Sequence, residues 1–239
     1  MKIEEVCEKI KNLEIQGARN VAISALDSLV YEIGKSKSKN KEQIISEILV
    51  NMDKLASLRS TEPMLENLLS SFFNEIKDKK NVNEIKKYSK IYLNNFKKNL
   101  DKNLEKIVIY GTNLLKDKER ILTHCHSSTV ERILINLGNL KEIKVFCTET
   151  RPKFQGRITA RNLSKNGINV TMIVDSAVNY IMKDIDVVIV GADVVTCRGA
   201  LINKIGTSAI AILAKEYNVP FYSACELWKY DKKTRFGIK

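Results

Sequence analysis

The chain has 239 residues, of which 44% are hydrophobic and 28% are charged, a composition typical of a folded globular protein. Its formal net charge of +12 brings anionic partners such as sugar phosphates or nucleic acid into consideration. No apolar stretch approaches the roughly 20 residues of a membrane span, and the charged N-terminus is unlike a signal peptide, so we expect no membrane partner. Five scattered cysteines without a C-x-x-C pair favour reduced thiols and a cytoplasmic protein.

The first part of the chain is predicted to be a helical N-terminal domain that covers residues 1–116. Apolar residues recur there at the 3.6-residue spacing of one helix face. The segments with this spacing are 3–13, 21–33, 44–55 and 65–76. The helix over the last of them is expected to begin near Pro63, and a long fifth helix to run from about Val82 to Leu115.

Lysines are concentrated towards the end of this domain. Between Lys77 and Lys106 there are ten lysines, four acidic residues and no arginine. Lysine lacks the bidentate geometry that favours phosphate recognition by arginine. A solvated helix face therefore explains this stretch better than a nucleic-acid surface, and we do not expect nucleic acid as a partner.

After residue 118 the pattern changes to short runs rich in Val and Ile, separated by helix-like segments. The apolar runs are 120–125, 143–149, 170–175, 187–193 and 219–224. The helix-like segments are 127–137, 156–166, 176–183 and 202–217. This alternation predicts βαβ crossovers around a buried parallel sheet. The predicted fold class is therefore α/β, with the helical domain followed by a doubly wound domain over residues 117–239.

Ligands of open parallel sheets bind beyond the carboxyl ends of the strands. In this chain that rule selects four segments, which are 124–128, 148–156, 175–177 and 191–193. They supply a thiol, carboxylates, an arginine, hydroxyl groups and helix N-termini. We expect them to form an anion-binding cleft along one edge of the sheet.

Cys125 is expected at the turn from the first strand into a helix. A helix N-terminus lowers the pKa of a thiol, so Cys125 is a candidate for a reactive cysteine; the alternative is a buried cysteine that only fills space. Its neighbours His124 and His126 raise the question of a zinc site. Adjacent residues of a strand point to opposite faces, and no further ligand lies at zinc-like spacing, so no metal is expected.

Other candidate residues follow later strands. Asp193 comes after Gly191, which leaves room for a ligand, although a turn or capping aspartate is the alternative. Arg151 precedes a proline that favours extended backbone, so its side chain either enters the cleft or forms a surface ion pair. Asn203 and Lys204 are expected to begin the next helix and could hold a phosphate.

Six motifs then carry a resemblance to a known superfamily. In order they are THCHS, TETRPKFQG, VDSA, VVIVGADVV, NKIGTSAIAILAKEYNVPFY and ELWKY. They resemble the archaeal ribose-1,5-bisphosphate isomerases, the methylthioribose-1-phosphate isomerases and the alpha, beta and delta subunits of initiation factor 2B. The match is dense over residues 121–230. The resemblance implies a helical domain joined to a Rossmann-like domain, a phosphorylated sugar as substrate, and no cofactor.

The resemblance also assigns roles to individual residues. It implies that Cys125 and Asp193 are a catalytic acid–base pair that opens a furanose and moves a proton from C2 to C1, with the thiol as proton acceptor. The implied substrate-binding residues are Gly17, Ala18, Arg19, Arg59, Ser127, Ser128, Thr129, Arg151, Gln155, Asn203, Lys204 and Lys229.

Two functions stay open at this point. The first is an isomerase that converts ribose 1,5-bisphosphate into ribulose 1,5-bisphosphate, which the Cys125 and Asp193 pair favours. The second is a regulatory subunit that binds a translation initiation factor without turnover. It is favoured by Gln16, which stands where the isomerases have arginine, and by RSTEP at 59–63 in place of their RPTAV. The family suggests a homo-oligomer, either dimer or hexamer, and a further segment beyond the last strand.

Overall fold

The structure is a computed structural model that describes residues 1–12, 14–59 and 63–234. Helices occupy the first half of the chain, and helices alternate with strands in the second half. The side chain of Arg59 is outside this description. The chain forms two compact units. The first contains the described residues up to Lys102, with Thr196–Arg198 and 228–234, and the second contains Asn103–Val195 and Gly199–Leu227.

The N-terminal helices match the predicted pattern. They are α1 (Ile3–Lys11), α2 (Ala18–Lys35), α3 (Lys41–Ala56), α4 (Pro63–Ile76) and α5 (Val82–Leu114). A 3₁₀ turn covers Ser57–Arg59. The buried side chains of α4 include Leu65, Leu68, Leu69 and Phe72, so the predicted apolar stripe is its core face. The Phe72 ring meets that of Tyr92 edge-on at 5.5 Å between centroids, which fixes the packing of the first unit's core.

The second unit contains the predicted parallel sheet. Its strands are β1 (Arg120–Thr123), β2 (Lys144–Thr148), β3 (Asn169–Ile173), β4 (Val187–Val190) and β7 (Phe221–Ser223). The helices between them are α6 (Ser128–Gly138), α7 (Gly156–Lys165), α8 (Val178–Ile181) and α9 (Thr207–Glu216). The strand order is β3-β2-β1-β4-β7, and each neighbouring pair is parallel. The α/β fold class is confirmed.

The three central strands of this sheet, β1, β2 and β4, are buried on both faces, as expected for a parallel sheet, whereas the edge strands β3 and β7 are partly exposed. Because side chains alternate along a strand, Ile121, Val145 and Val187 lie in one core cluster with α6. Leu122 and Val188 lie in the opposite cluster, with α8 and α9. The sheet is therefore a rigid support whose carboxyl edge carries the loops of interest.

Two features of the second half differ from the sequence prediction. A short antiparallel pair, β5 (Val194–Thr196) with β6 (Leu201–Ile202), follows β4, and a further two-residue strand, β8, covers Tyr230–Asp231. The helix expected over 202–217 begins only at Thr207, because Ile202 is paired in β6 and Gly206 has φ +100°. Within the described residues, no helix is both long enough and apolar enough to cross a membrane.

Candidate active site

Cys125 lies in the loop between β1 and α6, at the carboxyl edge of the sheet. Its backbone is in the left-handed region, with φ +69°, which a non-glycine residue adopts only when its surroundings hold it. Two threonines provide that support. The Cys125 amide donates to Thr150 Oγ1 at 2.9 Å, and Thr159 Oγ1 donates to the Cys125 carbonyl oxygen at 3.1 Å. The loop therefore presents the thiol in one fixed orientation.

Burial dominates the electrostatics of this thiol. Loss of solvent raises the pKa of Cys125, and the nearby carboxylates of Asp193 and Asp175 raise it further. A hydrogen bond from the His126 amide and the charge of Lys204 act in the opposite direction. The expectation of a lowered pKa for Cys125 was wrong in its net direction, because desolvation outweighs the His126 amide and the charge of Lys204.

Cys147 shows what burial does without such partners. It lies in β2 with its side chain packed in the core, and burial raises its pKa to about 12. Cys125 differs from it because the His126 amide and the charge of Lys204 act to lower the pKa of its thiol.

Asp193 follows β4, the strand next to β1 in the sheet. Its amide donates to the Ile202 carbonyl oxygen at 2.9 Å, while its side chain is exposed to solvent and its charge raises the pKa of the Cys125 thiol. Gly191 comes two residues earlier, and a Cβ there would lie 2.8 Å from Ser127 Oγ. The space expected beside Gly191 is thus filled by the start of α6.

The start of α6 forms the second wall of the site. Ser127 is its N-cap, and Ser127 Oγ accepts from the Val130 amide at 3.4 Å. Ser128 and Thr129 form the first turn, so their amides point out of the helix N-terminus, where anions bind.

Asn203 and Lys204 lie in the turn before α9, which corrects the expectation that they begin the helix. Thr207 holds this turn together. Its hydroxyl donates to the Lys204 carbonyl oxygen at 2.7 Å and accepts from Asn203 Nδ2 at 3.1 Å. Gly206 completes the turn with φ +100°. Both predicted residues are therefore held by a rigid turn and belong to the same unit as Cys125.

The segment after β2 is anchored by Asp175. Its carboxylate accepts from the amides of Thr150 and Arg151, both at 2.8 Å. The Arg151 guanidinium lies 3.7 Å from Glu149 and 4.9 Å from the Phe154 ring, and its side chain is 66% exposed. The ion-pair alternative for Arg151 is thus the one observed.

Gln155 is the N-cap residue of α7 in this segment. Its Oε1 atom is buried and accepts no hydrogen bond from the described residues. A buried acceptor without a donor is uncommon in a folded protein. Because this atom is closed to solvent, substrate binding by Gln155 stays a prediction.

The remaining predicted residues belong to the first unit. Gly17, with φ +81°, is the N-cap of α2, and Ala18 is the first residue of that helix. Arg19 donates to the Leu100 carbonyl oxygen at 3.2 Å and pairs with Asp101 at 2.6 Å. Lys229 ends a 3₁₀ turn, and Arg59 ends another, though the Arg59 side chain and residues 60–62 lie outside the described part. Substrate binding by these five residues stays a prediction.

Sequence reasoning missed the threonines that hold the Cys125 loop. Thr148, Thr150 and Thr159 are buried and connected by hydrogen bonds to residues 124–126. The available signal was the TET string at the carboxyl end of β2, the strand beside β1. Two hydroxyl residues at that position are placed to support the neighbouring loop.

Comparison with known proteins identifies the family of this chain. The model of the Initiation factor 2 subunit family matches residues 14–239. The chain is 40% identical over 236 residues to the ribose 1,5-bisphosphate isomerase of Methanocaldococcus jannaschii, covering 98% of this chain and 75% of that relative.

Solved structures of two related proteins have the same fold. The 5-methylthioribose 1-phosphate isomerase of Pyrococcus horikoshii superposes with a TM-score of 0.82 at 28% identity, covering 98% of this chain and 69% of that one. The delta subunit of translation initiation factor eIF-2B from A. fulgidus has a TM-score of 0.76 at 29% identity, covering 98% and 72%. The family match extends over most of the sequence, and we conclude that the chain belongs to the initiation factor 2 subunit family.

Proposed function

We propose that this protein is an aldose–ketose isomerase that converts ribose 1,5-bisphosphate into ribulose 1,5-bisphosphate. The observation that carries the proposal is the setting of Cys125, a buried thiol held at the carboxyl edge of the sheet and influenced by both Asp193 and Lys204. The relative from M. jannaschii, which is named for this reaction and is 40% identical, supports the choice of substrate.

The reaction moves one proton from C2 to C1 and opens the ring. Asp193, in its protonated form, gives its proton to the ring oxygen as the C1–O4 bond breaks. At the same time the Cys125 thiolate takes the C2 proton, and the C–H electrons form the C1–C2 double bond of an enol. The Asp193 carboxylate then takes the proton of the C2 hydroxyl, and the Cys125 thiol returns its proton to C1. The ketose is formed and both groups regain their starting states.

Residues around the thiol supply contacts for the substrate. The amides at the start of α6, from Ser127 to Thr129, suit one phosphate group. Lys204 and Asn203 offer a cation and an amide from a rigid turn. Together these groups would fix C1 and C2 between Cys125 and Asp193, which is where catalysis by positioned acids and bases requires them.

Turnover of ribose 1,5-bisphosphate, followed by NMR, tests this proposal directly. The wild type should form ribulose 1,5-bisphosphate, and Cys125→Ser and Asp193→Asn should each abolish turnover while circular dichroism shows an intact fold. Cys197→Ser is the matched control, since it removes a partly buried cysteine from the other unit. A Cys125→Ser variant that retains full turnover would rule out the thiol as the base.

A regulatory subunit that binds an initiation factor is the second candidate. Gln16 favours it, because it replaces the arginine of the isomerases, and so does the similarity to the A. fulgidus eIF-2B delta subunit. This candidate requires that the wild type turn over neither ribose 1,5-bisphosphate nor methylthioribose 1-phosphate, and that it form a stable complex with a purified initiation factor 2.

The proposal includes a cytoplasmic homo-oligomer, either a dimer or a hexamer. Light scattering coupled to size-exclusion chromatography separates these states from the 27.2 kDa monomer.

A further inference from the structure

His124 connects the loop that carries Cys125 to the loop that carries Lys204. Its side chain is almost completely buried, and both ring nitrogens have partners. Nδ1 lies 2.6 Å from Thr148 Oγ1, and Nε2 lies 2.8 Å from the Ile205 carbonyl oxygen. A Cβ at Gly206 would lie 3.0 Å from the ring, so the glycine next to Ile205 lets the imidazole approach this closely.

The partners of this imidazole determine where its proton is. A carbonyl oxygen can only accept, so Nε2 must carry a hydrogen and donate to Ile205. Burial lowers the pKa of His124, which keeps the ring neutral near pH 7. The unprotonated Nδ1 must then accept the hydroxyl hydrogen of Thr148.

The same reasoning extends through two threonines to Cys125. Thr148 has used its hydrogen, so Thr150 is the donor between the two threonines, and its hydroxyl oxygen lies 3.2 Å from Thr148 Oγ1 and 3.4 Å from the Thr148 carbonyl oxygen. Thr150 Oγ1 in turn accepts from the Cys125 amide at 2.9 Å. Thr148 thus receives the Thr150 hydroxyl at two acceptors, its own hydroxyl and its carbonyl oxygen, and the hydrogen bonds run from the Cys125 amide to the Ile205 carbonyl.

The end of this chain determines the setting of the thiol. Cys125 has φ +69°, a conformation that costs about 1–3 kcal/mol for a residue with a side chain unless neighbours hold it. In that conformation the sulfur is near enough to the His126 amide for this amide to lower the pKa of the thiol. If the Thr150 contact were lost, Cys125 would be free to relax to negative φ, and its sulfur would lose this donor.

We propose that His124 is a positioning residue whose neutral Nε2–H tautomer holds Cys125, through Thr148 and Thr150, in the conformation that places its thiol against the His126 amide. The same imidazole attaches this loop to the turn that carries Lys204, so the distance between Cys125 and that turn stays fixed. The effect on turnover rests on the proposed function, whereas the effect on the thiol does not.

Thr148 offers a matched pair of variants, because Thr148→Val removes the hydroxyl at nearly constant shape and Thr148→Ser keeps it. The measurement is the pH dependence of iodoacetamide modification at Cys125, followed by mass spectrometry of its peptide. The midpoint reports the thiol pKa, and the plateau reports access. In Thr148→Val the midpoint should rise by about one unit, a tenfold loss of thiolate at neutral pH, and in Thr148→Ser it should match the wild type. An unchanged midpoint in a folded Thr148→Val protein would overturn the proposal.

A second measurement needs no variant in the chain of hydrogen bonds. The protein contains only two histidines, so ¹⁵N NMR of labelled imidazoles resolves both, and His126→Gln assigns them. At pH 7 the His124 ring should show a protonated Nε2 and an unprotonated Nδ1. A protonated Nδ1, or a charged ring, would reverse or break the chain and refute the proposal.

Turnover provides the third readout. In Thr148→Val, kcat should fall by about 10- to 100-fold because the thiol is misplaced. In Thr148→Ser, which keeps the hydroxyl, kcat should stay at the wild-type value. If the wild type turns over no sugar phosphate, the proposed function fails, but the alkylation and NMR results still decide the role of His124. If the wild type is active and all three readouts are the same in Thr148→Val and Thr148→Ser, only the positioning role fails.

Discussion

Gly191 and Ser127 are in contact across the carboxyl edge of the sheet, and no side chain fits between them. A Cβ at Gly191 would lie 2.8 Å from both Cβ and Oγ of Ser127. Ser127 caps α6, so a methyl group at position 191 would displace the cap. We expect Gly191→Ala to lower the free energy of unfolding by about 1–3 kcal/mol and to reduce kcat/KM.

Chemical unfolding monitored by circular dichroism checks this expectation, with Gly34→Ala as the control. Gly34 lies in α2, and a Cβ there meets no atom within 4 Å. The control should be neutral or more stable by up to about 1 kcal/mol, because alanine favours helix. Equal stabilities for the two variants would mean that α6 shifts without cost.

Lys204 should influence both the substrate and the thiol. Its positive charge lowers the pKa of Cys125, so Lys204→Gln should raise that pKa and slow alkylation of Cys125 near pH 7.5 by about threefold, half a pKa unit. If Lys204 also binds phosphate, KM should rise by about 10- to 100-fold. Lys215→Gln, in the exposed last turn of α9, should change neither quantity. A rise in KM with unchanged alkylation would separate phosphate binding from the thiol.

The pH dependence of turnover follows from the protons that the two proposed catalytic groups hold. Burial raises the pKa of the Cys125 thiol above its ordinary value of 9.0, so only a small fraction is thiolate at pH 7. The mechanism needs that thiolate together with protonated Asp193, and this pair holds the same number of protons as a thiol beside a carboxylate. The ratio of the two forms therefore does not change with pH, and kcat/KM should stay constant from pH 7 to 8.5. Turnover in a constant-ionic-strength buffer series measures this profile, and a tenfold rise per pH unit would contradict a protonated Asp193 as the acid.

Asp175 should be needed for the segment after β2. Its two carboxylate oxygens each accept one amide, from Thr150 and Arg151. Asparagine would turn an NH₂ group towards one of these amides, so Asp175→Asn should cost about 1–3 kcal/mol of unfolding free energy.

Asp184→Asn is the matched change for this test. It removes only an exposed pair with Arg120 at 3.6 Å, and it should cost no more than about 0.5 kcal/mol. Equal costs for the two variants would show that the amides of Thr150 and Arg151 find other acceptors.

The fold was predictable from the sequence wherever the apolar pattern persists over many residues. Helix α5 and strands β1 to β4 follow such patterns, and all were predicted. The β5–β6 pair was not predicted, because strands of two or three residues are too short to show an alternation of apolar and polar side chains. The start of α9 was misplaced for a related reason. The left-handed turn at Gly206 interrupts a segment whose composition favours helix.

The position of the candidate site residues in the fold was predictable, but their electrostatics were not. The rule that ligands bind at the carboxyl ends of parallel strands identified the segments of Cys125, Asp193 and Arg151. The direction of the Cys125 pKa shift was not predictable, because it depends on how much solvent the folded chain removes from the sulfur. The role of Thr148 was also hidden, since its hydrogen bond to His124 joins positions 24 residues apart.

The burial of Cys125 has a consequence for how the protein withstands peroxide. Thiolates react with peroxide, whereas thiols react slowly, and the first product is a sulfenic acid. A raised pKa keeps most of the Cys125 sulfur protonated, and its 9% exposure limits access by oxidants. The environment that makes this cysteine a weak acid therefore also protects it from oxidative loss between turnovers.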